Sequence, residues 1–462
     1  MTSTEPLQIS GVFPSLAQVG DFGPPRTEIG IGSLMPWNGE LYVQNYNSHK
    51  TDGAGVSLRR VHRDFTMELV PEAIGVDGTY TNRFVHYATS SLVIGPHVIT
   101  ADHSLRTVPE LAPHRLCGTA AHLTKPDTHV YVLTMEGEVF ELDLRTLECV
   151  QLWDLNHELA TEGELKVHYK DCYSAFGRLV VCSNEYGEDD WAGRQARGRL
   201  AEFDGESWRV LERKPFTAIA GRSEFGGTIF ASGWDQASAI LEVYTEADDT
   251  WTRYRLPKAS HTFDHKWQTE WPRIREVEHE RFMMDHHGMF YELSPWAYGG
   301  RIWGVRPIST HLWVLGDFCS WQGLFVAGAD NASPSAGQNV TTAEPQSGMW
   351  FGKTDDLWGF GKPTGWGGPW WEADVIAGEP SDPYLMTGFD QKCLHVENFG
   401  GQDAVVTVEI DFHGHGRFAA AVELEVPAGR VATHVFPSGF SAHWVRLVSD
   451  VDGTLSGQFM YT

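Results

Sequence analysis

Alternation of apolar and polar residues with a period of two dominates this chain, and short glycine-containing turns interrupt it. The clearest example is segment 129–144, where two alternating runs flank Met135-Glu-Gly-Glu138. Such alternation is typical of half-buried β-strands, and a glycine between two runs predicts a tight hairpin. Similar groups follow at 177–211 and 228–255. Long segments with the 3.6-residue period of an amphipathic helix do not stand out, so the sequence predicts an all-β protein.

The hairpins recur along the chain at roughly regular intervals, about 30 to 50 residues apart, which is typical of repeat proteins. Candidate inner strands begin near Leu41, Leu92, Val130, Leu179, Ile229, Phe282, Leu312 and Met349. Four-stranded repeats of this size predict the blades of a β-propeller, and one blade cannot bury both of its faces alone. Eight starts fit a seven-bladed β-propeller if the first and last repeats share one blade.

The C-terminal seventy residues have a different pattern. Segment 393–462 contains about six short alternating runs, which is more than one propeller blade needs. We therefore predict a propeller domain over residues 1–390 and a small β-sandwich-like region over residues 391–462. The preceding segment 349–371 is dense in glycine and tryptophan, and we expect it either to plug a funnel or to line a sugar site.

Charge and targeting signals exclude several partner classes. Lysine and arginine number 35 against 61 acidic residues, a net charge of −26, which argues against a nucleic-acid partner. The N-terminal ten residues lack a secretory signal, and no apolar run is long enough to span a membrane. We therefore expect a cytoplasmic protein. Six cysteines without a C-x-x-C pattern predict free thiols, including Cys172 and Cys182, which could face each other across a hairpin.

The most informative count is that of 21 histidines, several of them near predicted strand ends beside cationic residues. Histidine titrates near neutral pH and serves as an acid or a base, and arginine binds carboxylates through two parallel hydrogen bonds. In a propeller, residues about one repeat apart become neighbours around the axis. Arg273, Glu276 and Glu280 could instead form an internal ion-pair network. Adjacent His286 and His287 point to opposite faces of a strand, which argues against a shared metal, and segment 413–417 is expected to be a hairpin tip.

Several ordered sequence blocks carry a resemblance to a known enzyme group. They are Thr119-Ala-Ala-His-Leu-Thr124 and the segments 130–148, 168–180, 256–275, 316–323 and 377–390. Across residues 80–462 the chain resembles seven-bladed propeller enzymes that cleave L-rhamnose-α-1,4-D-glucuronate linkages in arabinogalactan side chains. The group includes lyases and α-L-rhamnosidases. The resemblance implies an oligosaccharide substrate and an exo-acting lyase, with an exo-α-L-rhamnosidase or a non-catalytic binding propeller as alternatives.

A lyase needs a cation beside the uronate carboxylate, a base and an acid. We predict His86 and His122 as base and acid, with His103 as a substitute, and Arg178 with Lys170 at the carboxylate. Tyr173 would assist proton transfer. Further substrate-binding candidates are His168, Arg222, Trp234, Asp235, His261, Arg273, Arg275 and His287.

This chemistry requires no cofactor. A structural divalent cation such as Ca²⁺ would suit the polar lining of a propeller channel, although the sequence names no ligands for it. The acidic surface favours short oligosaccharides over long polyanionic glycans. The oligomeric state cannot be inferred from the sequence.

Overall fold

The computed structural model describes residues 17–18, 29–47, 58–76, 78–160, 166–186, 197–223, 227–260, 273–279, 281–294, 304–312, 314–329 and 348–462. Within them the protein is a seven-bladed β-propeller followed by a pair of C-terminal β-sheets, which confirms the predicted all-β fold class. Helical structure among the described residues is confined to α1 (Leu155–Glu158) and two 3₁₀ turns, Pro71–Ala73 and Thr354–Gly359.

Each blade is a four-stranded antiparallel sheet, and the strands are numbered in chain order. Strand β1 is Ala17–Gln18 and lies in blade 7. Blade 1 consists of β2 (Ile29–Trp37), β3 (Glu40–Asn47), β4 (Leu58–Val61) and β5 (Met67–Leu69). Blade 2 consists of β6 (Arg83–His86), β7 (Ser91–Ile94), β8 (His97–Thr100) and β9 (Leu105–Thr107). Blade 3 consists of β10 (Leu116–Ala121), β11 (His129–Thr134), β12 (Glu138–Asp143) and β13 (Cys149–Asp154).

The remaining blades follow the same plan. Blade 4 consists of β14 (Lys166–Ala175), β15 (Arg178–Tyr186), β16 (Arg197–Phe203) and β17 (Trp208–Glu212). Blade 5 consists of β18 (Phe216–Arg222), β19 (Thr228–Trp234), β20 (Ala239–Thr245) and β21 (Thr250–Leu256). Blade 6 consists of β22 (Arg273–Glu278), β23 (Arg281–His286), β24 (Met289–Leu293) and β25 (Arg306–Thr310). Blade 7 consists of β26 (Leu315–Trp321), β27 (Leu324–Ala329), β28 (Gly348–Gly352) and β1.

The inner strands form a closed ring. Strands β2, β6, β10, β14, β18, β22 and β26 contact one another in this order, and β26 contacts β2. The ring is fastened by β1, which pairs with β28 through Ala17 opposite Met349. Blade 7 therefore combines both ends of the propeller sequence, as expected for ring closure.

The predicted positions of the inner strands were wrong for six blades. The runs that begin near Leu41, Leu92, Val130, Leu179, Ile229 and Phe282 belong to the second strand of each blade. Second strands are covered on both faces by neighbouring blades and therefore give the strongest apolar runs. Inner strands carry charged residues such as Arg83 and Asp171, and those residues weaken the alternation.

Apolar clusters fill the junctions between blades. Leu133 of blade 3 packs with Val181 of blade 4, and Val43 of blade 1 packs with Trp321 of blade 7. Each blade thus buries its faces against its neighbours. We call the face where inner strands begin the upper face, and the face where they turn into the second strands the lower face.

The C-terminal region consists of two packed sheets. Its strands are β29 (Gly365–Val375), β30 (Tyr384–Leu385), β31 (Lys392–Asn398), β32 (Ala404–Asp411), β33 (Ala419–Val426), β34 (Val431–Val435), β35 (Trp444–Ser449) and β36 (Gly453–Tyr461). One sheet has the order β29-β36-β31-β34, and β30-β35-β32-β33 form the other. Both sheets contribute to one core, which includes Leu394 and Leu447.

This region begins earlier than residue 391, because β29 and β30 already belong to it. The glycine- and tryptophan-rich segment 349–371 contains part of β28, a 3₁₀ turn and the first half of β29 rather than one long loop. Strand β30 also pairs with the outer strand of blade 5, where Arg255 lies opposite Tyr384. Blade 5 and the second C-terminal sheet are thereby joined edge to edge.

Two further observations concern the whole described chain. All six cysteines are free thiols, as predicted from their spacing. Among the residues that the structure describes, no helix has the length and apolar character needed to cross a membrane.

Candidate functional site

A buried carboxylate organises the centre of the ring. Asp317, on the inner strand of blade 7, is fully buried and accepts a hydrogen bond from Arg275 Nε at 2.8 Å. Arg83 Nε forms an ion pair with the other carboxylate oxygen at 2.8 Å, and the Leu34 backbone N–H donates to that same oxygen at 2.8 Å. Arg83 belongs to blade 2, which is not adjacent to blade 7. The Arg83–Asp317 pair therefore links the two blades that flank blade 1.

A second, half-buried carboxylate lies on the opposite side of the ring. Asp171, on the inner strand of blade 4, accepts hydrogen bonds from the Ile219 N–H at 3.0 Å and the Cys172 N–H at 2.9 Å. A register shift between Tyr169 and Asp171 marks a β-bulge, which can redirect a side chain. The positive charges of Arg275 and Arg273, both on blade 6, act to lower the pKa of Asp171. Asp171 and these arginines therefore lie on the two blades that flank blade 5.

The two carboxylates differ in their electrostatic balance. Burial raises the pKa of Asp171, and the arginines only partly offset this effect. Burial also acts to raise the pKa of Asp317, but Arg275, Arg83 and Arg273 outweigh it, so that pKa is lowered. Asp317 is therefore the ionised centre of the group.

Of the three arginines Arg83, Arg273 and Arg275, two remain partly exposed to solvent. Burial, together with the positive charges of Arg275 and Arg273, lowers the pKa of Arg83 to about 10 despite the attraction of Asp317. The Arg83 and Arg275 side chains keep 13% and 15% of their surface exposed. Three arginines thus gather around two carboxylates, and two of them keep part of their surface exposed.

A tyrosine and an ion pair lie nearer the lower face. Arg222 Nη1 is 3.5 Å from Glu276 Oε1, which links blades 5 and 6. The ring of Tyr173 lies against Gly221, where any Cβ would come within 2.7 Å of it. Burial raises the pKa of Tyr173, and the negative charge of Glu276 raises it further. The Tyr173 hydroxyl is therefore protonated at neutral pH and can donate a hydrogen bond, although its raised pKa makes it a weaker acid than an ordinary tyrosine.

We call these groups together the axial site. It consists of Arg83, Asp171, Tyr173, Arg222, Arg273, Arg275, Glu276 and Asp317. Tyr173, Arg222, Arg273 and Arg275 were predicted from the sequence, and all four lie on inner strands. Tyr173 and Arg222 lie with Glu276 nearer the lower face, whereas Arg273 and Arg275 lie with Asp317. The other four were missed as site residues, although Asp317 lies in a block that carried the resemblance and Glu276 was considered as an ion-pair partner.

The predicted base and acid lie elsewhere. His86, at the lower end of blade 2, places Nδ1 2.8 Å from Thr89 Oγ1 and Nε2 2.7 Å from the Pro126 carbonyl oxygen. Pro126 belongs to the lower-face turn of blade 3. His86 thus joins two neighbouring turns and is not in the axial site.

His122 belongs to the same lower-face turn. Its Nδ1 accepts the backbone N–H groups of Thr124 and Lys125, both at 3.1 Å, and its Nε2 lies 2.7 Å from Glu141 Oε2. The ring stacks on Tyr131 with centroids 4.3 Å apart. Burial lowers the pKa of His122 more than Glu141 raises it. The neutral ring, with Nδ1 as acceptor, stabilises the turn.

Other predicted site residues also form their contacts away from the axial site. Arg178 binds Glu202 at 2.8 Å, contacts Asp249 and lies over the Tyr244 ring at the lower face, between blades 4 and 5. His103 Nδ1 is hydrogen-bonded to the Tyr42 hydroxyl at 2.9 Å. His168 and Lys170 lie on β14, and Lys170 is buried beside Asp171.

The predicted sugar-lining group forms a buried layer between blades 5 and 6. Trp234 and His287 are buried, with ring centroids 5.6 Å apart. Asp235 binds Arg255 at 3.0 Å and Lys214 at 3.0 Å, so it stabilises blade 5. His261 lies outside the described residues.

The axial site does not fit a divalent cation, because three arginines surround its carboxylates and would repel one. Among the described residues, no group of three or more histidines, cysteines and acidic residues is placed to hold a metal ion. The predicted channel Ca²⁺ stays a prediction without ligands.

Comparisons with known proteins add little to this geometry. No protein family matches the chain, and no curated protein matches it. The solved structure of U3-55K is 10% identical, with a TM-score of 0.43 over 71% of this chain and 100% of its own. A luciferin-regenerating enzyme is 9% identical, with a TM-score of 0.39 over 74% of this chain and 94% of its own. Such similarity carries no argument about function, and the propeller assignment rests on the sheet topology.

Proposed function

We propose that the protein is an exo-acting lyase that releases terminal L-rhamnose from α-1,4-linked D-glucuronate by β-elimination. The observation that carries the proposal is the gathering of Arg83, Arg273 and Arg275 at the axis of a chain with a net charge of −26. Buried cations in an acidic protein favour a small anionic ligand, and guanidinium groups match the geometry of a carboxylate.

The elimination assigns a role to each part of the axial site. Arg83 and Arg275 would bind the uronate carboxylate and stabilise the enolate that forms when C5 loses its proton. The electrons of the C5–H bond form the C4–C5 double bond as the C4–O bond breaks, and the departing rhamnose oxygen takes up a proton. Tyr173, protonated at neutral pH, is the candidate acid for that step.

Glu276 is the candidate base. Its side chain is about one-third exposed, and Arg222 at 3.5 Å would orient the carboxylate. This assignment replaces the predicted histidine pair, because His86 and His122 already bind groups of the lower-face turns. Net negative charge would repel a long polyanionic glycan, so the proposed substrate is a short oligosaccharide that ends in one rhamnose-capped glucuronate unit.

The decisive experiment follows two products together from a rhamnosyl-α-1,4-glucuronate-capped oligosaccharide. Rhamnose release with rising ultraviolet absorbance of a 4,5-unsaturated uronate is the expected result. Rhamnose without absorbance would instead identify an exo-α-L-rhamnosidase. Release of neither product would overturn the enzyme proposal and leave a binding propeller.

Variants test the assigned roles. We expect Tyr173→Phe to lower kcat by about 10²-fold or more, the usual contribution of a general acid. Tyr169→Phe on the same strand is the matched control, since this buried tyrosine packs between blades 3 and 4. Larger losses of kcat in His86→Ala and His122→Ala than in Tyr173→Phe would contradict the axial assignment, provided that all variants fold.

A further inference from the structure

A cleft lies where blade 5 and the C-terminal sheets diverge. The outer strand β21 pairs with β30 only at Arg255, opposite Tyr384. Toward the lower face the two sheets separate, and a cavity of about 310 Å³ lies between β21 and the turn 411–418. This volume is at the low end of the ~300–1,000 Å³ range of small-molecule sites. It therefore suits one sugar-sized ring rather than a chain of rings.

Aromatic side chains supply the apolar part of the lining. Tyr254 and Trp444 both line the cavity, and their ring centroids are 4.8 Å apart. Phe418, from the turn, also lines it and is covered by the Arg446 guanidinium at 4.1 Å from the ring centroid. Tyr254 and Trp444 are only 4% and 2% exposed and form the floor of the cavity, so the half-buried Phe418 is the ring that could pack against the C–H face of a sugar.

Polar groups of the lining come from both sides. Thr250 and Thr252 alternate with Tyr254 along one face of β21 and place two hydroxyls beside its ring. Across the cleft the buried Asp411 carboxylate accepts the backbone N–H groups of His413 at 3.2 Å and Gly414 at 2.9 Å. These bonds hold the turn in one conformation, so this wall is formed before a ligand arrives.

Charge selects among sugars. Asp248 and Asp411 line the cavity, and none of the described residues that line it is a lysine or an arginine. The exposed Asp248 carboxylate would repel a uronate, whereas neutral hydroxyls can donate hydrogen bonds to it and to the threonine oxygens. Asp411 is fully buried, and both of its carboxylate oxygens accept backbone N–H groups of the turn. The cleft therefore differs in charge from the axial site.

We propose that this cleft is a second carbohydrate site, which binds one neutral pyranose ring. The proposal does not depend on catalysis at the axial site, and its test measures binding rather than turnover. Such a site would hold a neutral part of a glycan beside the propeller.

The test uses saturation-transfer NMR on the full chain with D-galactose, D-glucose, L-rhamnose and L-arabinose as probes. D-Galacturonate serves as the charged counterpart of D-galactose. Probes are used at about 10 mM, a concentration suited to dissociation constants in the millimolar range. We expect transfer to at least one neutral sugar and at least tenfold weaker binding of D-galacturonate.

Cavity-filling variants locate the signal. Thr250→Trp and Thr252→Trp place an indole in the cleft and are expected to abolish the transfer. Thr433→Trp, at an exposed position of β34 on the other C-terminal sheet, is the matched control and should retain it. The proposal is overturned if no neutral sugar shows transfer, if both filling variants keep it while folded, or if D-galacturonate binds as well as D-galactose.

Discussion

Replacement of Asp317 by alanine tests the electrostatic account of the ring centre. The change removes the carboxylate that Arg83 and Arg275 share, and leaves two largely buried guanidinium groups without it. Removing one partner of a buried ion pair costs about 3–5 kcal/mol, because the remaining charge stays desolvated. The free energy of unfolding is therefore expected to fall by that amount.

The corresponding change in Tm follows from chain length. Unfolding entropy of about 2.1 cal/mol/K per residue over 462 residues gives about 1 kcal/mol/K for the whole chain. The expected loss in Tm is therefore about 3 to 5 °C, measured by differential scanning calorimetry at neutral pH. A Tm within about 1 °C of the wild type would refute the reasoning.

Asp317→Asn separates the charge from the hydrogen bond. The amide oxygen can still accept the Leu34 N–H, and that bond alone contributes about 0.5–1.5 kcal/mol. If charge dominates, Asp317→Asn loses nearly as much stability as Asp317→Ala. Because the pKa of Asp317 is lowered in the folded state, its contribution is complete above about pH 4 and declines as pH falls through the folded pKa. The difference between wild type and Asp317→Asn should therefore shrink in acid.

Two further predictions concern other buried groups. His97 is fully buried, with Nδ1 2.9 Å from Thr107 Oγ1, and burial lowers its pKa from 6.5 to about 4. The unfolded chain therefore binds a proton at His97 between pH 6.5 and 4 that the folded protein does not, so the free energy of unfolding falls over this range. In urea unfolding, His97→Asn should reduce the fall in the free energy of unfolding between pH 7 and 4 by ~3 kcal/mol. The same pH dependence of the free energy of unfolding in both proteins would contradict this. Cys149 and Cys393 are partly exposed and the other four thiols are buried, so Ellman's reagent should titrate at most two of the six before denaturation and all six afterwards. Rapid native reaction of four thiols would show that the blade junctions open.

Features that depend on local sequence were predictable. The period-two alternation and the glycine turns are properties of neighbouring residues, so the all-β class and the number of blades followed from them. Free thiols followed from cysteine spacing. The predicted C-terminal sheets are present, but they begin near Gly365. That start was missed because the tryptophans and glycines at 365–371 form a bulged edge strand without regular alternation.

Which residues meet at the axis depended on ring closure. Second strands have the strongest apolar runs, and the prediction took them for inner strands. The predicted inner strand was therefore one strand too late in six blades. Histidines at strand ends were expected to converge, but a strand end can lie at either face, and His86 and His122 lie at the lower one. Arg83 and Asp317 are far apart in sequence and meet only because seven sheets close around a channel. The sequence alone therefore determined the repeating strand pattern, whereas the tertiary structure decided which charges face one another, because only a closed ring brings non-adjacent blades into contact.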